Sequence, residues 1–134
     1  MVRFPSEEWI NVFMEQLNAS KSYEEAAKTW EGDFLFVIGS DAELKESATF
    51  YVDLWHGKCR EVALLKPGED KKAAFVYSGP YSNWKKLINK QIDPIQGLLI
   101  GKFKLQGDMA KVLRAVRAAK ELVETASKVP TEFA

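Results

Sequence analysis

Two changes of structural period fall within one short stretch, Gly97-Leu-Leu-Ile-Gly-Lys-Phe-Lys-Leu-Gln-Gly-Asp-Met109. Its residues 98–100 are purely apolar, whereas residues 102–106 alternate between polar and apolar as in a half-buried strand. Gly107-Asp108 then ends the strand and begins a helix. No residue type here is typical of a catalytic site. The stretch instead predicts an apolar wall, a strand and an amphipathic helix, which are the parts needed to enclose an apolar ligand.

Helices are predicted on both sides of this stretch. Asp93-Pro94 is typical of a helix start and predicts a short helix that continues through Ile100. After the stretch, apolar residues recur at helical spacing and predict a final helix over 108–128. The apolar stripe of that helix comprises Met109, Val112, Leu113, Val116, Ala119 and Val123.

Strands are predicted nearer the N-terminus, over 34–38, 49–55, 59–65 and 73–78. The second and third flank a compact turn in which Gly57 can adopt a positive φ, so they predict an antiparallel hairpin. Gly79-Pro80 then predicts the start of a helix with one buried face. That face comprises Tyr81, Trp84, Leu87 and Ile88.

Two helices are predicted before the first strand. Ser6, followed by two glutamates, predicts the N-cap of a helix over 7–18. Ser22 and Glu25 have the spacing of a capping box and predict a second helix that ends near Glu31-Gly32. Helices before and after a set of short strands indicate an α+β fold, with about five mostly antiparallel strands and helices packed on one sheet face.

Composition indicates one domain spanning residues 1–134, long enough to bury roughly two-thirds of its unfolded surface. The 19 basic and 19 acidic residues cancel, so no overall field attracts the protein to nucleic acid or to an anionic membrane. The single Cys59 excludes an intrachain disulfide framework, and the N-terminal residues do not resemble a secretion signal or a membrane span. We therefore expect an unprocessed, cytoplasmic protein.

The order and spacing of these residues resemble the sterol carrier protein type two family. The resemblance is carried by Asp93-Pro94, by the apolar step and Gly-Lys at 98–102, and by the alternating strand, Gly107-Asp108 and long amphipathic helix. The upstream order of two helices, a strand meander and a further helix is also similar. The chain ends Thr131-Glu-Phe-Ala134 and not in a peroxisomal Ser-Lys-Leu signal, so it resembles a stand-alone, prokaryote-like member.

The resemblance implies a five-stranded sheet overlaid by helices, with an apolar tunnel between the two layers. Such a tunnel binds sterols, fatty acids, acyl chains or phospholipids, without catalytic residues, cofactor or metal. The residues that match the family segment and are expected in the tunnel wall are Leu98, Leu99, Ile100, Phe103, Leu105, Met109, Leu113 and Val116. Four further apolar residues on the predicted strands, hairpin and third helix are added as candidates: Phe36, Trp55, Trp84 and Leu87.

Each of these groups also has a simpler interpretation. The apolar residues are equally explained by plain core packing, because sequence does not distinguish a leucine that contacts protein from one that contacts lipid. His56 and Cys59 lie close in sequence, but nothing demonstrates the geometry of a catalytic pair or a metal site. The cations of two helices are explained by a solvated face, or by a basic rim that makes transient membrane contact during ligand exchange: Lys85, Lys86, Lys90, Lys111, Arg114, Arg117 and Lys120.

Two classes of function follow. The favoured one is non-catalytic binding or transfer of a hydrophobic small molecule such as a fatty acid, an acyl chain, or a sterol- or isoprenoid-like lipid. The alternative is an accessory domain whose apolar surface docks on a partner enzyme or forms a homodimer. An enzyme is disfavoured, because the sequence has no convincing nucleophile, metal site or phosphate-binding loop.

Overall fold

The computed structural model describes residues 1–134. Seven strands are formed: β1 (Val2–Phe4), β2 (Glu31–Gly39), β3 (Ala48–Trp55), β4 (Lys58–Leu64), β5 (Phe75–Pro80), β6 (Lys104–Gln106) and β7 (Thr131–Phe133). Six helices are formed: α1 (Glu7–Ala19), α2 (Lys21–Ala26), α3 (Tyr81–Ile88), α4 (Pro94–Leu99), α5 (Met109–Arg114) and α6 (Val116–Lys128).

The main sheet has five strands in the order β4-β3-β2-β5-β6. Neighbouring strands are antiparallel except β2 and β5, which are parallel and place Phe34 opposite Phe75. A parallel pair requires a crossover connection, and here the β3–β4 hairpin lies between its two strands in the chain. The predicted α+β fold with a five-stranded, mostly antiparallel sheet is confirmed.

A second sheet joins the two ends of the chain and was not predicted. Strands β1 and β7 are parallel, with Val2 opposite Thr131 and Phe4 opposite Phe133. The indole Nε1 of Trp9 donates a hydrogen bond to Thr131 Oγ1 at 2.9 Å and so fixes helix α1 to this sheet. Each strand has only three residues, which is too short for a periodic pattern to be recognised in the sequence.

Several helix starts are those predicted from side-chain chemistry. Ser6, Asp93 and Asp108 each accept a hydrogen bond from a backbone N–H in the first turn of α1, α4 and α5. Helix α2 is a correction, because its N-cap is Ser20 and not Ser22, and the helix already ends at Ala26. The Oγ atom of Ser20 accepts from the N–H of Tyr23, so the cap lies two residues earlier than the capping box suggested.

The predicted final helix over 108–128 is two helices. Helix α5 ends and α6 begins at Ala115, where φ is −99° and ψ is 40°. Neither proline nor glycine is present at this point, so no local residue causes the break. Because the break has no cause in its own sequence, it reflects how the two segments pack on the rest of the molecule.

The helices form a layer that covers the sheet. Helix α1 contacts β4, and α3 contacts β2 and β5. Helix α6 packs against α1, α2, α3 and α4, and therefore lies across the other helices. No helix combines the length and the apolar character that crossing a membrane requires. The space relevant to function is the one between the sheet and this helical layer.

Candidate functional site

An apolar cavity of about 110 Å³ lies between the main sheet and the helices. Eighteen residues line it, of which seventeen are hydrophobic and the other is Pro94. The helical side comprises Trp9, Ile10, Phe13, Trp84, Leu87, Ile88, Pro94, Ile95, Val112, Ala119, Leu122, Val123 and Ala126. The side of the main sheet comprises Phe34, Phe36, Phe50 and Tyr77, and Phe4 of β1 completes the lining.

Local periodicity explains why these side chains face the cavity. Phe34 and Phe36 are two residues apart on β2, so both point to the same face of the sheet. On α6 the lining residues follow helical spacing, with Ala119, Leu122, Val123 and Ala126 on one stripe. Since two of the four are alanine, this stripe is shallow where it passes over the aromatic rings. Small side chains opposite large rings leave the volume that forms the cavity.

The aromatic wall is held in place by contacts between rings. Trp84 meets Phe36, Tyr77 and Phe103 with ring centroids 5.6, 5.6 and 5.3 Å apart, in edge-to-face geometry. On the other side of the cavity Trp9 stacks on Phe13 at 5.5 Å. Such pairs contribute about 1 kcal/mol each beyond the area that they bury. The rings therefore form a stable wall and do not collapse into the free volume.

The polar atoms of the wall are already engaged by the protein. The Tyr77 hydroxyl donates to the carbonyl oxygen of Pro94 at 2.9 Å, and Trp84 Nε1 donates to the carbonyl oxygen of Val37 at 2.9 Å. Burial raises the pKa of Tyr77, so its phenol stays neutral. No buried side-chain nitrogen or oxygen lacks a hydrogen-bond partner. Because burying a charge without a partner is costly, the cavity suits hydrocarbon and not a charged group.

A second apolar cavity of about 40 Å³ adjoins the first. Four residues line both cavities: Phe34, Val112, Ala119 and Leu122. The remaining walls of the second cavity include Tyr23, Trp30 and Leu54. The two cavities are thus separated by only a few apolar side chains beneath α5 and α6.

Three of the twelve residues expected in the tunnel wall line the larger cavity. They are Phe36 on β2 and Trp84 and Leu87 on α3. Leu98 and Phe103 are buried, but they lie outside both cavities. Phe103 stacks on Tyr77 with the ring centroids 4.8 Å apart, so it supports the wall from behind.

The other seven expected residues also line neither cavity. Leu105 is half-buried on the edge strand β6, and Leu113 is half-buried on α5. The remaining five are exposed: Trp55, Leu99, Ile100, Met109 and Val116. The sequence predicted one continuous helix over 108–128, so it did not show which side of α5 faces the core. In the structure that side carries Val112, which is buried, and not Leu113.

Sequence reasoning missed most of the residues that form the cavity. Helix α1 contributes Trp9, Ile10 and Phe13, which recur at helical spacing but were not among the candidates for the site. Leu122 and Ala126 on α6 were also omitted. The helical spacing of these apolar residues could have identified them. In a fold of this type, every strongly apolar helix face is a candidate for a cavity wall.

The surroundings of His56 and Cys59 do not have the features of an activated cysteine–histidine pair. His56 lies on the surface, where its Nε2 is 2.6 Å from a carboxylate oxygen of Glu31. Cys59 is buried, and burial raises the pKa of its thiol to about 12. A reactive cysteine requires the opposite shift, towards the thiolate. The structure also contains no group of three or more His, Cys, Asp or Glu residues that could hold a metal ion.

Comparison with known proteins identifies one family. The sequence model of the SCP-2 sterol transfer family matches residues 10–120. No curated protein matches the chain.

Solved structures of similar fold include a crystal structure of sterol carrier protein 2, with 29% identity and a TM-score of 0.82 over 92% of this chain and 97% of that one. A Thermus thermophilus protein, named as a candidate sterol carrier protein, has 28% identity and a TM-score of 0.85 over 95% of this chain and 90% of that one. Sterol carrier protein 2 from Yarrowia lipolytica shares the fold at 16% identity and a TM-score of 0.60, over 88% of each chain.

Proposed function

Since this chain belongs to the SCP-2 sterol transfer family, we propose that it binds a hydrophobic lipid without altering it and carries it in the apolar cavity between sheet and helices. The ligand class is a flexible hydrocarbon chain, such as a fatty acid, another acyl lipid or an isoprenoid. A sterol is the family's other cargo, but its rigid rings fit the observed free volume less well.

The observation that carries the proposal is the chemistry of the cavity wall. Its residues are apolar, and the hydroxyl of Tyr77 and the indole N–H of Trp84 already donate to backbone carbonyls. A ligand therefore gains affinity from the hydrocarbon that it buries, at about 0.8 kcal/mol per methylene. A polar head group finds no unused partner on the wall and stays outside.

Cavity size favours a chain over a rigid ring system. The larger cavity, at about 110 Å³, is comparable with the roughly 150 Å³ apolar cavities that bind benzene in other proteins. A longer molecule has to extend past Val112 and Leu122 into the adjoining cavity. A flexible chain can do so through small side-chain rotations, whereas a fused ring system requires the helices to separate.

A pair of matched variants tests this proposal. Ala119 lines both cavities, whereas Ala110 is exposed on the neighbouring helix α5. Ala119→Leu places three additional carbon atoms in the free volume, and Ala110→Leu adds the same atoms to the surface. Leucine and alanine are both good helix formers, so neither change breaks its helix.

Binding is measured with a fluorescent fatty acid and its displacement by unlabelled chains of increasing length. We expect the wild type and Ala110→Leu to bind alike, and Ala119→Leu to bind at least about tenfold more weakly, which corresponds to about two lost methylene contacts. Mass spectrometry of the recovered ligand should find it chemically unchanged. Saturating titrations without binding, or equal binding by the two variants, would contradict a ligand in this cavity.

A further inference from the structure

The end of helix α4 exposes two adjacent aliphatic side chains. Leu99 is 66% exposed and Ile100 is 56% exposed, more than any other large hydrophobic residue except Met1. Single exposed aliphatic residues are common on protein surfaces, but a contiguous pair at the end of an element is not explained by core packing. We refer to Leu99 and Ile100 as the apolar tip.

The apolar tip is followed by a hydrogen-bonded turn. The N–H of Lys102 donates to the carbonyl oxygen of Gly97 at 2.8 Å, and Asn83 Nδ2 donates to the carbonyl oxygen of Lys102 at 3.0 Å. The next residue, Phe103, is buried beneath the turn. Gly101 has a φ of +79°, and a Cβ atom built on it would meet nothing within 4 Å. The tip is therefore fixed at its base and open to solvent at its end.

The charged residues that follow the apolar tip in the chain have one sign. Lys102 and Lys104 follow it and are exposed, and no carboxylate lies between Asp93 and Asp108 in the chain. Both aspartates are occupied as helix N-caps. An anionic phospholipid bilayer has an apolar interior and a negatively charged surface. An exposed aliphatic pair that is followed closely by cations complements both of these features.

The apolar tip also adjoins the cavity through its own helix. Ile95 lines the larger cavity and is four residues before Leu99, so both lie on the same face of α4. One helix face thus runs from the cavity wall to the most exposed leucine of the chain. A molecule leaving beside Ile95 would meet apolar side chains up to the tip.

We propose that the apolar tip is a membrane-docking surface: Leu99 and Ile100 insert into the interface of an anionic phospholipid bilayer, and Lys102 and Lys104 contact lipid phosphates. A protein partner is less favoured, because the charges that follow the tip in the chain, Lys102 and Lys104, are both cations, which complement lipid phosphates. The docking surface is independent of which molecule occupies the cavity, since none of its four residues lines that space.

Vesicle co-sedimentation tests the proposal, with vesicles of phosphatidylcholine alone or mixed with phosphatidylglycerol at low and high salt. We expect the full chain to sediment with the anionic vesicles, and its partition to fall by about tenfold for Leu99→Ser/Ile100→Ser because the inserted apolar surface is lost. For Lys102→Glu/Lys104→Glu, the partition onto anionic vesicles should fall to a similar extent. The remaining binding should no longer depend on the salt concentration.

A second charge reversal controls for the total charge. Lys45→Glu/Lys72→Glu changes two exposed lysines elsewhere by the same amount, and it should bind the vesicles as the wild type does. Both tip variants should keep the thermal stability and fatty-acid binding of the wild type in solution, which separates this proposal from that for the cavity.

Two outcomes would overturn the membrane-docking surface. The first is that the wild type does not bind the vesicles, or that Leu99→Ser/Ile100→Ser binds them as well as the wild type does. The second is a wild-type dimer in light scattering that the serine substitutions dissociate, since it would assign the tip to a second copy of this chain.

Discussion

Gly57 and Gly68 share one backbone conformation but have different surroundings. Their φ angles are +79° and +80°. A Cβ atom on Gly57 would lie 2.6 Å from the carbonyl oxygen of Glu24, whereas one on Gly68 would meet nothing within 4 Å. The first glycine therefore allows the β3–β4 hairpin to approach α2, and the second serves only its own turn.

This difference predicts unequal costs for the same substitution. Gly68→Ala should lower the free energy of unfolding by about 1 kcal/mol, because alanine adopts a positive φ only with strain. Gly57→Ala should cost about 3 kcal/mol, since the hairpin must also move away from Glu24. Urea unfolding of the two variants measures both values, and equal costs would show that the close approach is unimportant.

The carboxylate of Asp41 joins the loop after β2 to the start of α3. Its Oδ2 accepts from the N–H of Ser82 at 2.8 Å, and its Oδ1 accepts from the N–H of Glu43 at 2.9 Å. The hydrogen bond from Ser82 is the main cause, and that from Glu43 the next, by which the pKa of Asp41 is lowered below its ordinary value of 3.8. The ionised form is therefore favoured by folding.

A pH dependence of stability follows from that direction. Because the pKa of Asp41 is lower in the folded than in the unfolded protein, its ionised carboxylate stabilises the folded state. This contribution to the free energy of unfolding is fully present above about pH 3.8, the ordinary pKa, and is lost as the pH falls through the pKa of the folded state. Asp41→Asn should be less stable than the wild type near neutral pH, and the gap should narrow in acid. Urea unfolding midpoints of both proteins, measured from neutral to acid pH, test this prediction. Asp70→Asn, at an exposed aspartate, is the control. A difference in stability that does not change with pH would contradict the role assigned to Asp41.

At the scale of elements, helix α5 is attached to the sheet mainly by Val112 and Lys111. The Lys111 ammonium donates to the carbonyl oxygen of Glu31 and lies 4.9 Å from the centre of the Trp30 ring. It is also 5.8 Å from the centre of Phe75. A short helix with one buried residue relies on such peripheral contacts to stay closed over the second cavity.

Removing this contact should loosen α5 more than the rest of the molecule. We expect Lys111→Ala to cost about 1 kcal/mol of global stability, from the lost cation–π contact and hydrogen bond. Hydrogen exchange in the peptide that covers α5 should accelerate more than exchange in β2 and β3. Arg114→Ala removes an exposed cation from the same helix and should leave exchange unchanged; equal acceleration in both variants would exclude a special role for Lys111.

Element prediction was accurate for most features with a local signal, the N-cap of α2 excepted, and it failed where the signal is not local. Asp93 and Asp108 cap their helices as predicted, because capping needs only a side chain and the N–H groups that follow it. The break at Ala115 and the pairing of β1 with β7 had no local signal. Both depend on segments that are distant in the chain.

At the scale of the whole molecule, ligand binding and folding are linked. A ligand that binds only the folded protein stabilises it by about 2.7 kcal/mol at a hundred times its Kd. With an unfolding entropy of about 2.1 cal/mol/K per residue, this corresponds to an increase in Tm of about 10 °C for a chain of 134 residues. Calorimetry at the same fatty-acid concentration should show this increase for the wild type and Ala110→Leu, and about half of it or less for Ala119→Leu, whose binding is expected to be at least about tenfold weaker. An equal increase in all three proteins would indicate a ligand outside the cavity.

The sequence by itself determined the helix and strand periods, the N-caps of α1, α4 and α5, and the family-like segment at 97–109, because each depends on residues close in the chain. The tertiary structure alone decided which apolar faces enclose free volume. Phe4, Phe36, Trp84 and Ala126 belong to four different elements, yet they line one cavity. Spacing fixes the side of an element on which a residue lies, whereas a cavity is the space left when several such sides pack together. The same reasoning explains why Leu99 and Ile100, equally apolar, lie outside it.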